Sequence, residues 1–199
     1  MYEPEEPDES ASPAMRRVFD ELEAEFDAGL RREAEQEAVA AVRAELGATV
    51  LWEQLARRTG SEATVLAGAR TFRGAIIAGY PEFLVVRGDD GSEHLVRYGP
   101  GVSVALPAEP PALRPTPSPA IRRYQFALAL RELARRREPV RVELADGTSS
   151  DGTIEAVGSD YLEIAEHDLG EARRRQAVRA RRFAGFAAVV AVSLPPARR

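Results

Sequence analysis

Residues 140–164, VRVELADGTSSDGTIEAVGSDYLEI, carry the pattern that decides the fold. Apolar side chains recur at every second position in three short runs, which are Val140, Val142 and Leu144, then Ile154 and Ala156, then Leu162 and Ile164. A period of two predicts β-strands with one buried and one exposed face. Asp146 and Gly147 separate the first two runs and are typical of a tight turn. This stretch therefore predicts half-buried antiparallel strands joined by short turns.

The same pattern occurs 78 residues earlier, in residues 62–86, EATVLAGARTFRGAIIAGYPEFLVV. An ungapped alignment at this offset matches ten identical residues, which in the first copy are Leu55, Ala56, Arg57, Arg58, Leu66, Ala67, Gly74, Ile76, Ala78 and Leu84. Chance explains the Ala and Arg matches, but not the Gly, Ile and Leu matches in one register. We therefore interpret the chain as an internal duplication. Gly74 and Gly152 are expected at equivalent bends, where a side chain has no room.

Each copy is predicted to contain one helix followed by five short strands. In the second copy, Ser118 and Pro119 form a helix start, and the helix is expected to end at the arginine cluster 135–137, before Pro139. Strands are predicted at 63–66, 73–78, 83–86, 93–98 and 102–106 in the first copy, and at 140–144, 154–156, 162–164, 177–183 and 189–194 in the second. A tight corner at residues 184–186 precedes the last strand.

The whole chain is predicted to be mainly β with helices, an α+β fold. Its segments are a disordered acidic tail at 1–11, an N-terminal helix at 12–46, a first small barrel with its preceding helix at 47–107, a Pro-rich linker at 108–118, a second barrel with its helix at 119–195, and a tail at 196–199. The N-terminal helix carries an apolar stripe at helical spacing, formed by Met15, Val18, Phe19, Leu22, Phe26 and Leu30. Because such a stripe must be covered, we expect this helix to associate, with pairing to a second copy favoured over packing on a barrel.

A helix followed by five bent antiparallel strands resembles the Sm-like barrel, the SH3-type fold of Sm, LSm and Hfq proteins. The second copy carries the closer match to the first Sm signature, in Val140, Val142, Leu144, Asp146, Gly147, Gly152, Ile154, Asp160, Leu162 and Ile164, and the first copy retains Gly74, Ile76, Glu82, Leu84 and Val86. The resemblance implies tandem Sm-like barrels. The order of an acidic helix and two such modules is also similar to an uncharacterised family of actinobacterial cytoplasmic proteins.

Two features of the Sm uridine pocket have no counterpart in this chain. In RNA-binding Sm proteins an Asn follows the loop acid, and this chain contains no Asn. The second Sm signature places an Arg-Gly pair before the fifth strand, where this chain has GPG at 99–101 and AGF at 184–186. The resemblance therefore leaves open a fold inherited without that pocket.

Composition excludes several kinds of enzyme chemistry. The chain has no Cys and no Lys, which excludes thiolate nucleophiles, Cys-ligated metals, Walker lysines and Schiff-base lysines. Its two histidines, His94 in a predicted strand and His167 in a predicted polar turn, are too few for a His-rich metal site. We therefore predict no enzyme activity, no metal and no cofactor. The acidic N-terminus lacks the features of a secretory signal, and no apolar run approaches the roughly 18 residues of a membrane span, so we expect a cytoplasmic protein without a membrane segment.

Charge is distributed unevenly along the chain, whose net charge is −5. Residues 1–46 contain 14 acidic residues against 5 arginines, whereas residues 108–199 contain 12 against 16. Nine arginines of the second copy are candidates for a phosphate-neutralising surface: Arg135, Arg136, Arg137, Arg173, Arg174, Arg175, Arg179, Arg181 and Arg182. The alternative is a charged edge strand that is protected from pairing or matched to acids. The two interpretations differ in whether these arginines converge on one exposed surface or are each paired with Glu and Asp.

Two functions follow from this pattern. The leading hypothesis is a non-enzymatic module that binds nucleic acid, RNA in preference to DNA, through the arginines of the second barrel. The alternative is a protein-protein adaptor or scaffold that uses strand edges and the acidic N-terminal helix. Both hypotheses include a homo-oligomer, and the acidic helix is the expected contact for a protein partner.

Overall fold

The computed structural model describes residues 49–108, 113–115, 117–169 and 178–196, together with Arg31, Glu37 and Gly47. The chain divides into two units, residues 1–49 and 50–199. In the first unit, Arg31, Glu37 and Gly47 are helical. The remainder of the predicted helix at 12–46, the tail at 1–11 and part of the linker at 108–118 lie outside the described residues.

The described part of the second unit contains two α-helices and ten strands. The helices are α1 (Leu51–Ala56) and α2 (Phe126–Arg136). The strands are β1 (Glu62–Ala67), β2 (Arg70–Gly79), β3 (Phe83–Arg87), β4 (Glu93–Arg97), β5 (Val102–Ala105), β6 (Pro139–Leu144), β7 (Ser149–Val157), β8 (Tyr161–Glu166), β9 (Ala180–Gly185) and β10 (Val189–Leu194). The prediction of a mainly β chain with few helices is confirmed. No helix among these residues has the length and apolar character needed to cross a membrane.

All ten strands belong to one open antiparallel sheet, in the order β5-β1-β2-β3-β4-β10-β6-β7-β8-β9. We call α1 with β1–β5 the first half and α2 with β6–β10 the second half. The tandem Sm-like barrels expected from the sequence are not confirmed as separate units, because β4 pairs with β10 and joins the two halves in one sheet. Unpaired backbone groups at a strand edge favour such a union. Within each half, however, the strands follow the same order, which is fifth, first, second, third, fourth.

The two bend glycines lie at equivalent positions, as the repeat predicts. A Cβ atom on Gly74 would lie 1.9 Å from the carbonyl oxygen of Arg87, and one on Gly152 would lie 2.0 Å from that of Ala165. In both halves the pairing of the second strand with the third shifts register shortly after the glycine. Each glycine therefore lets two strands approach more closely than any side chain permits.

The first strand reveals a one-residue difference between the repeats. Ala63 lies opposite the bend glycine of the first half, eleven positions before it, whereas Val140 lies opposite its glycine twelve positions before it. The ungapped alignment, which paired Leu66 with Leu144, is therefore wrong at this strand. The extra residue is accommodated in the longer hairpin loop of the second half, between β6 and β7.

The predicted continuous helix from Pro119 to the arginine cluster is interrupted. A short 3-10 helix covers Pro119–Arg123, and its cap is the Ser118 hydroxyl, which accepts from the Ala120 amide at 3.4 Å. Tyr124 is then extended, and α2 begins at Phe126. The cause is a contact distant in sequence, because the Glu82 carboxylate accepts the Phe126 amide at 2.7 Å and gives α2 its own start.

Two hydrophobic clusters form the core. The first cluster contains Leu55, Ala63, Val65, Ala67, Phe72, Ile76, Leu84, Val86, Val96 and Ala191. The second contains Phe83, Leu95, Phe126, Leu130, Val140, Val142, Ile154, Leu162, Ile164, Ala184, Val189 and Val192. Phe83 and Leu95 of the first half thus pack in the second cluster, and Ala191 of the second half packs in the first. The β4·β10 junction is consequently part of both cores.

Candidate interaction surfaces

The structure describes six of the nine predicted phosphate-binding arginines. Arg173, Arg174 and Arg175 lie outside the described residues. The others divide between two elements: Arg135, Arg136 and Arg137 at the end of α2, and Arg179, Arg181 and Arg182 in or beside β9.

Two of the three arginines at the end of α2 form ion pairs with the same acid. The Glu132 carboxylate accepts hydrogen bonds from the guanidinium groups of Arg135 and Arg136, each with an N···O distance of 2.7 Å. Hydrogen bonds from these two guanidinium groups lower the pKa of Glu132 to about 2, so the carboxylate is charged throughout the physiological range. Arg137 follows as the helix C-cap with φ 55, and it has no ion pair with another described residue.

The arginines of β9 are matched one to one with acids. Arg181 donates to Glu163 of β8 at 2.9 Å, and Arg182 donates to Glu166 of β8 at 2.5 Å. Arg179 donates to Asp168 at 2.9 Å. The Arg182 guanidinium also lowers the pKa of the Glu166 carboxyl, chiefly through this hydrogen bond. Five of the six described arginines are therefore paired with carboxylates, and the three in or beside β9 have the arrangement expected of a charged edge strand.

The fourth strands, β4 and β9, occupy equivalent positions in the two halves. Leu95 of β4 lies opposite Val85 of β3, and Phe183 of β9 lies opposite Glu163 of β8. Because Val85 and Glu163 are 78 residues apart and both belong to third strands, Leu95 and Phe183 correspond.

These corresponding side chains have opposite environments. Leu95 is 8% exposed, since β10 pairs on its open side and places Val192 directly across from it. Phe183 is 65% exposed, and in the described part of the chain no strand pairs with the open side of β9. The ring of Tyr161, 5.9 Å away, lies beside it. The β9 edge therefore presents an aromatic pair where the junction has a buried leucine.

The fifth strands, β5 and β10, show a similar difference in burial between corresponding residues. Val104 of β5 lies opposite Val65 of β1, and Val192 of β10 lies opposite Val142 of β6. Val192 is fully buried, whereas Val104 is only half-buried. Among the described residues, the sheet thus contains one filled junction, β4·β10, and two edges without a further strand, β9 and β5, that correspond to the two sides of the junction.

A cleft lies beside the junction, with a volume of about 590 Å³. Its wall includes His94 of β4 and Ser193 of β10, which are opposite one another in the sheet. The His94 Nδ1 atom lies 2.8 Å from the Ser193 hydroxyl, and Nε2 lies 2.9 Å from the Ser92 hydroxyl. The sequence predicts that His94 lies in a strand but does not predict its partner, because no local pattern indicates a contact 99 positions away.

The direction of each hydrogen bond in the series Asp90–Ser92–His94–Ser193 follows from the chemistry of Asp90. The Asp90 carboxylate can only accept, so the Ser92 hydroxyl donates to it at 2.5 Å. Ser92 then accepts from His94 Nε2–H, and the free lone pair on Nδ1 accepts the Ser193 proton. Burial lowers the pKa of His94 despite the Asp90 charge, which favours this neutral imidazole. The resulting junction clasp, formed by Asp90, Ser92, His94 and Ser193, links the two halves.

His167 differs from the expected polar turn residue. Its side chain is fully buried, with Nδ1 at 3.0 Å from the Asp168 carbonyl oxygen and Nε2 at 3.4 Å from the Thr153 hydroxyl. Within the described ranges, no three His, Asp or Glu side chains come together as a metal site.

The loops before the third and fifth strands meet in both halves. The Tyr98 amide donates to the Glu82 carbonyl at 2.9 Å, and the Phe186 amide donates to the Asp160 carbonyl at 2.7 Å. In the first half this loop end is covered, since the ring of Tyr124 stacks on that of Tyr80 at 5.1 Å.

No protein-family model matches this chain, and no curated protein has a significant match to it. Its function must therefore be inferred from the ion-paired arginines, the open strand edges and the junction cleft.

Proposed function

We propose that this protein is a non-enzymatic interaction scaffold, made of two Sm-like barrels fused through β4 and β10, which binds protein partners at its strand edges. One observation carries the proposal. The edge strand β9 exposes Phe183 at the position where the junction buries Leu95, while the arginines around it are already matched to acids. A large exposed aromatic on an unpaired strand is a typical protein-contact feature.

The Sm-like part of the proposal is supported by strand order and by the bend glycines. Each half has a helix before five strands, the order fifth, first, second, third, fourth, and a glycine in the second strand that excludes a side chain. Small barrels of this kind bend their strands sharply at such glycines. The shared sheet means that the two barrels are open to one another at the β4·β10 junction.

The loop end that would hold a base in an Sm protein supports protein binding over RNA binding. In the first half the loop acid Glu82 is used to cap α2, through the Phe126 amide at 2.7 Å. Tyr124 stacks on Tyr80 of the same loop end. A base that stacked there would have to displace Tyr124 and the start of α2.

The ion pairs also disfavour the phosphate-binding hypothesis. Arg179, Arg181 and Arg182 each face a carboxylate, so a phosphate would have to replace that carboxylate and leave it unpaired. Counterion release, the main source of nucleic-acid affinity, is small for cations that are already neutralised. The experiment must therefore distinguish protein binding by this surface from nucleic-acid binding.

The test compares the two hypotheses on the full-length chain. Fluorescence anisotropy with single-stranded RNA and DNA of 20 nucleotides at low salt is expected to show no saturable binding. Affinity capture from the native host is expected to retain a protein partner after nuclease treatment, and Phe183→Asp is expected to release it. The matched control is Arg87→Ser, which removes an exposed ion pair with Glu93 far from β9. Saturable binding of RNA or DNA, lost with Arg181→Ser but not with Arg87→Ser, would overturn the proposal.

A further inference from the structure

The junction cleft is lined by residues of both halves, from β2, the β3–β4 turn, β6 and the end of β10. Its volume of about 590 Å³ is within the range of small-molecule sites, which often lie where two packed units of a fold meet. The scaffold function proposed above makes no use of it, since the residues of β9 are not part of its wall. The cleft is therefore a candidate for a second binding site.

The cleft contains charged residues that the repeat does not require. Counted from the residues opposite the bend glycines, Arg141 and Glu143 of β6 correspond to Thr64 and Leu66 of β1. Leu66 is exposed, whereas the Glu143 side chain is only 7% exposed, with Arg70 of the first half lying against it. Burial of a carboxylate is costly unless a charge compensates it. The second half thus has charged side chains where the first half has uncharged ones, and they line the cleft.

Two guanidinium groups of the cleft are held in place by carboxylates. The Arg70 Nε atom lies 2.9 Å from Glu143 Oε2, and the Nε and Nη2 atoms of Arg141 donate to Asp151 at 2.6 and 2.7 Å. Among the described residues, the two Nη groups of Arg70 and the Nη1 group of Arg141 have no hydrogen-bond acceptor. Both side chains are nearly half exposed, so a ligand can reach these donors. Fixed guanidinium groups with unused N–H donors are well suited to bind an anion.

Apolar side chains form another part of the wall. Phe72, Leu169, Leu194 and Pro195 line the cleft, and the Phe72 ring lies 4.9 Å from that of His94. Leu169 and Leu194 are half-buried, so each has apolar surface that a ligand could cover. The wall therefore fits a ligand that joins an apolar body to its anionic group.

The charges at the rim select among anions. Asp89 and Asp90, on the turn between β3 and β4, line the cleft and are exposed. Their negative charges repel an anion, and this repulsion is twice as large for a doubly charged group as for a singly charged one. A carboxylate carries one charge and matches the forked geometry of a guanidinium group, whereas a phosphate carries up to two. The rim therefore favours a carboxylate over a phosphate.

We propose that the junction cleft binds a small organic carboxylate, whose carboxylate group lies between Arg70 and Arg141 and whose apolar body lies against Phe72 and Leu194. This site goes beyond the scaffold function and does not depend on a partner at β9. Because the ligand would contact β2 of the first half and β6 of the second half, its binding would stabilise the connection between the halves.

The test uses benzoate as the probe and the full-length chain as the protein. Isothermal titration calorimetry at low salt is expected to show saturable binding of benzoate, with a Kd of about 1 mM or lower. Benzyl alcohol, which has the ring without the charge, and inorganic phosphate, which has the charge without the ring, are each expected to bind at least about tenfold more weakly. Benzoate is also expected to raise the urea midpoint, since it binds the folded chain.

Two variants locate the site. Arg70→Gln combined with Glu143→Gln removes the ion pair without leaving a buried charge, and we expect a folded protein by circular dichroism with at least about tenfold weaker benzoate binding. Arg141→Gln changes an exposed side chain, and it decides the question if the double variant does not fold. We expect it to weaken benzoate binding about fivefold or more. The matched control is Arg122→Gln combined with Glu53→Gln, which removes an ion pair between an exposed arginine and a largely buried glutamate outside the cleft and should leave benzoate binding unchanged.

Four outcomes would overturn the proposal. The first is no saturable binding of benzoate up to about 20 mM. The second is unchanged affinity in Arg141→Gln or in the folded double variant of the cleft, and the third is an equal loss in the control double variant. The fourth is binding of benzyl alcohol or phosphate as tight as that of benzoate, which would remove the need for a carboxylate with an apolar body. Capture of a protein partner by the wild-type chain and its release by Phe183→Asp test the scaffold function separately, so either proposal can fail alone.

Discussion

The two halves of the sheet share a strand order but differ in what lies beside their fourth strands. In the first half, β10 covers β4, and Leu95 becomes part of the second hydrophobic cluster. In the second half, no described strand covers β9, and Phe183 at the corresponding position remains exposed. Full burial of such a side chain contributes about 1.5–3 kcal/mol. The comparison shows that one strand position acts as core or as surface according to whether a fifth strand pairs with it.

The arginines beside Phe183 give the β9 edge a charge that opposes unselective pairing. Native sheets protect open edges with charged side chains that oppose unselective pairing. Arg181 and Arg182 provide that charge, and their ion pairs with β8 keep them in place along the strand. The β9 edge therefore combines a deterrent to general aggregation with one apolar contact for a specific partner.

The largest expected effect tests whether the bend glycines Gly74 and Gly152 have the same role in the two halves. Gly152→Val would place a Cβ atom 2.0 Å from the Ala165 carbonyl oxygen, and Gly74→Val would create the same clash with Arg87. Because backbone atoms cannot yield as a flexible side chain does, we expect each variant to lose about 4 kcal/mol or more. Urea unfolding followed by circular dichroism measures the loss. Gly99→Ala is the control, since a Cβ there meets nothing within 4 Å. A midpoint for either valine variant equal to that of Gly99→Ala would contradict the close approach at that glycine, and clearly different midpoints for the two valine variants would contradict the equivalence.

The second prediction places the same substitution on the two fourth strands. Leu95→Asp puts a carboxylate inside the second cluster, and we expect a loss of about 3 kcal/mol or more in the free energy of unfolding. Phe183→Asp changes an exposed side chain, and at protein concentrations too low for association we expect a change within about 0.5 kcal/mol. Both values come from urea unfolding of the full chain. Similar losses for the two variants would mean that Phe183 is covered within a single copy.

Sequence patterns predicted the strands well because alternation is a local property. The existence of the ten strands and of the bend glycines follows from neighbouring residues, but β9 runs over Ala180–Gly185 and so includes two residues of the corner predicted at 184–186. Contacts between distant segments could not be predicted in the same way. A period of two identifies the buried face of β4 but does not indicate that β10 is its partner. The interruption before α2 depends on Glu82, which lies 44 residues from Phe126 in sequence. The junction clasp depends on the pairing of β4 with β10.

The β9 edge also depends on contacts between segments that the sequence alone does not predict. The arginines of β9 were identified from the sequence, but their acidic partners on β8 depend on the register of the two strands. The exposure of Phe183 was also not predicted, since aromatic residues at strand spacing are more often core. Only the comparison of β9 with β4 reveals that this residue lacks the cover its counterpart has.

The third prediction uses pH to weaken the filled junction alone. Burial lowers the pKa of His94 below its ordinary value of 6.5, so the unfolded chain binds a proton more readily than the folded chain. The contribution of the neutral imidazole is therefore present above pH 6.5 and is lost as the pH falls below that value. We expect the urea midpoint to decrease between pH 7.5 and pH 5.5, and this decrease to be smaller in His94→Gln. An equal decrease in both proteins would show that His94 does not control the junction.

The smallest expected effect concerns the charges of the open edge. Arg179→Ser combined with Arg181→Ser removes two exposed ion pairs, and such pairs each contribute about 0–1 kcal/mol, so the urea midpoint should change little. The variant frees the carboxylates of Asp168 and Glu163, and this makes the edge more negative and less attractive to phosphate. If the scaffold function holds, RNA retention near 50 mM salt is absent in both proteins. If instead both arginines contact phosphate, the slope of log affinity against log salt on single-stranded RNA decreases by about 1.4 in the variant. Arg87→Ser, which removes a comparable ion pair of the first half, should leave that slope unchanged. A reduced slope confined to the β9 variant would mean that this edge binds nucleic acid, and that its arginines exchange Glu163 and Asp168 for phosphate.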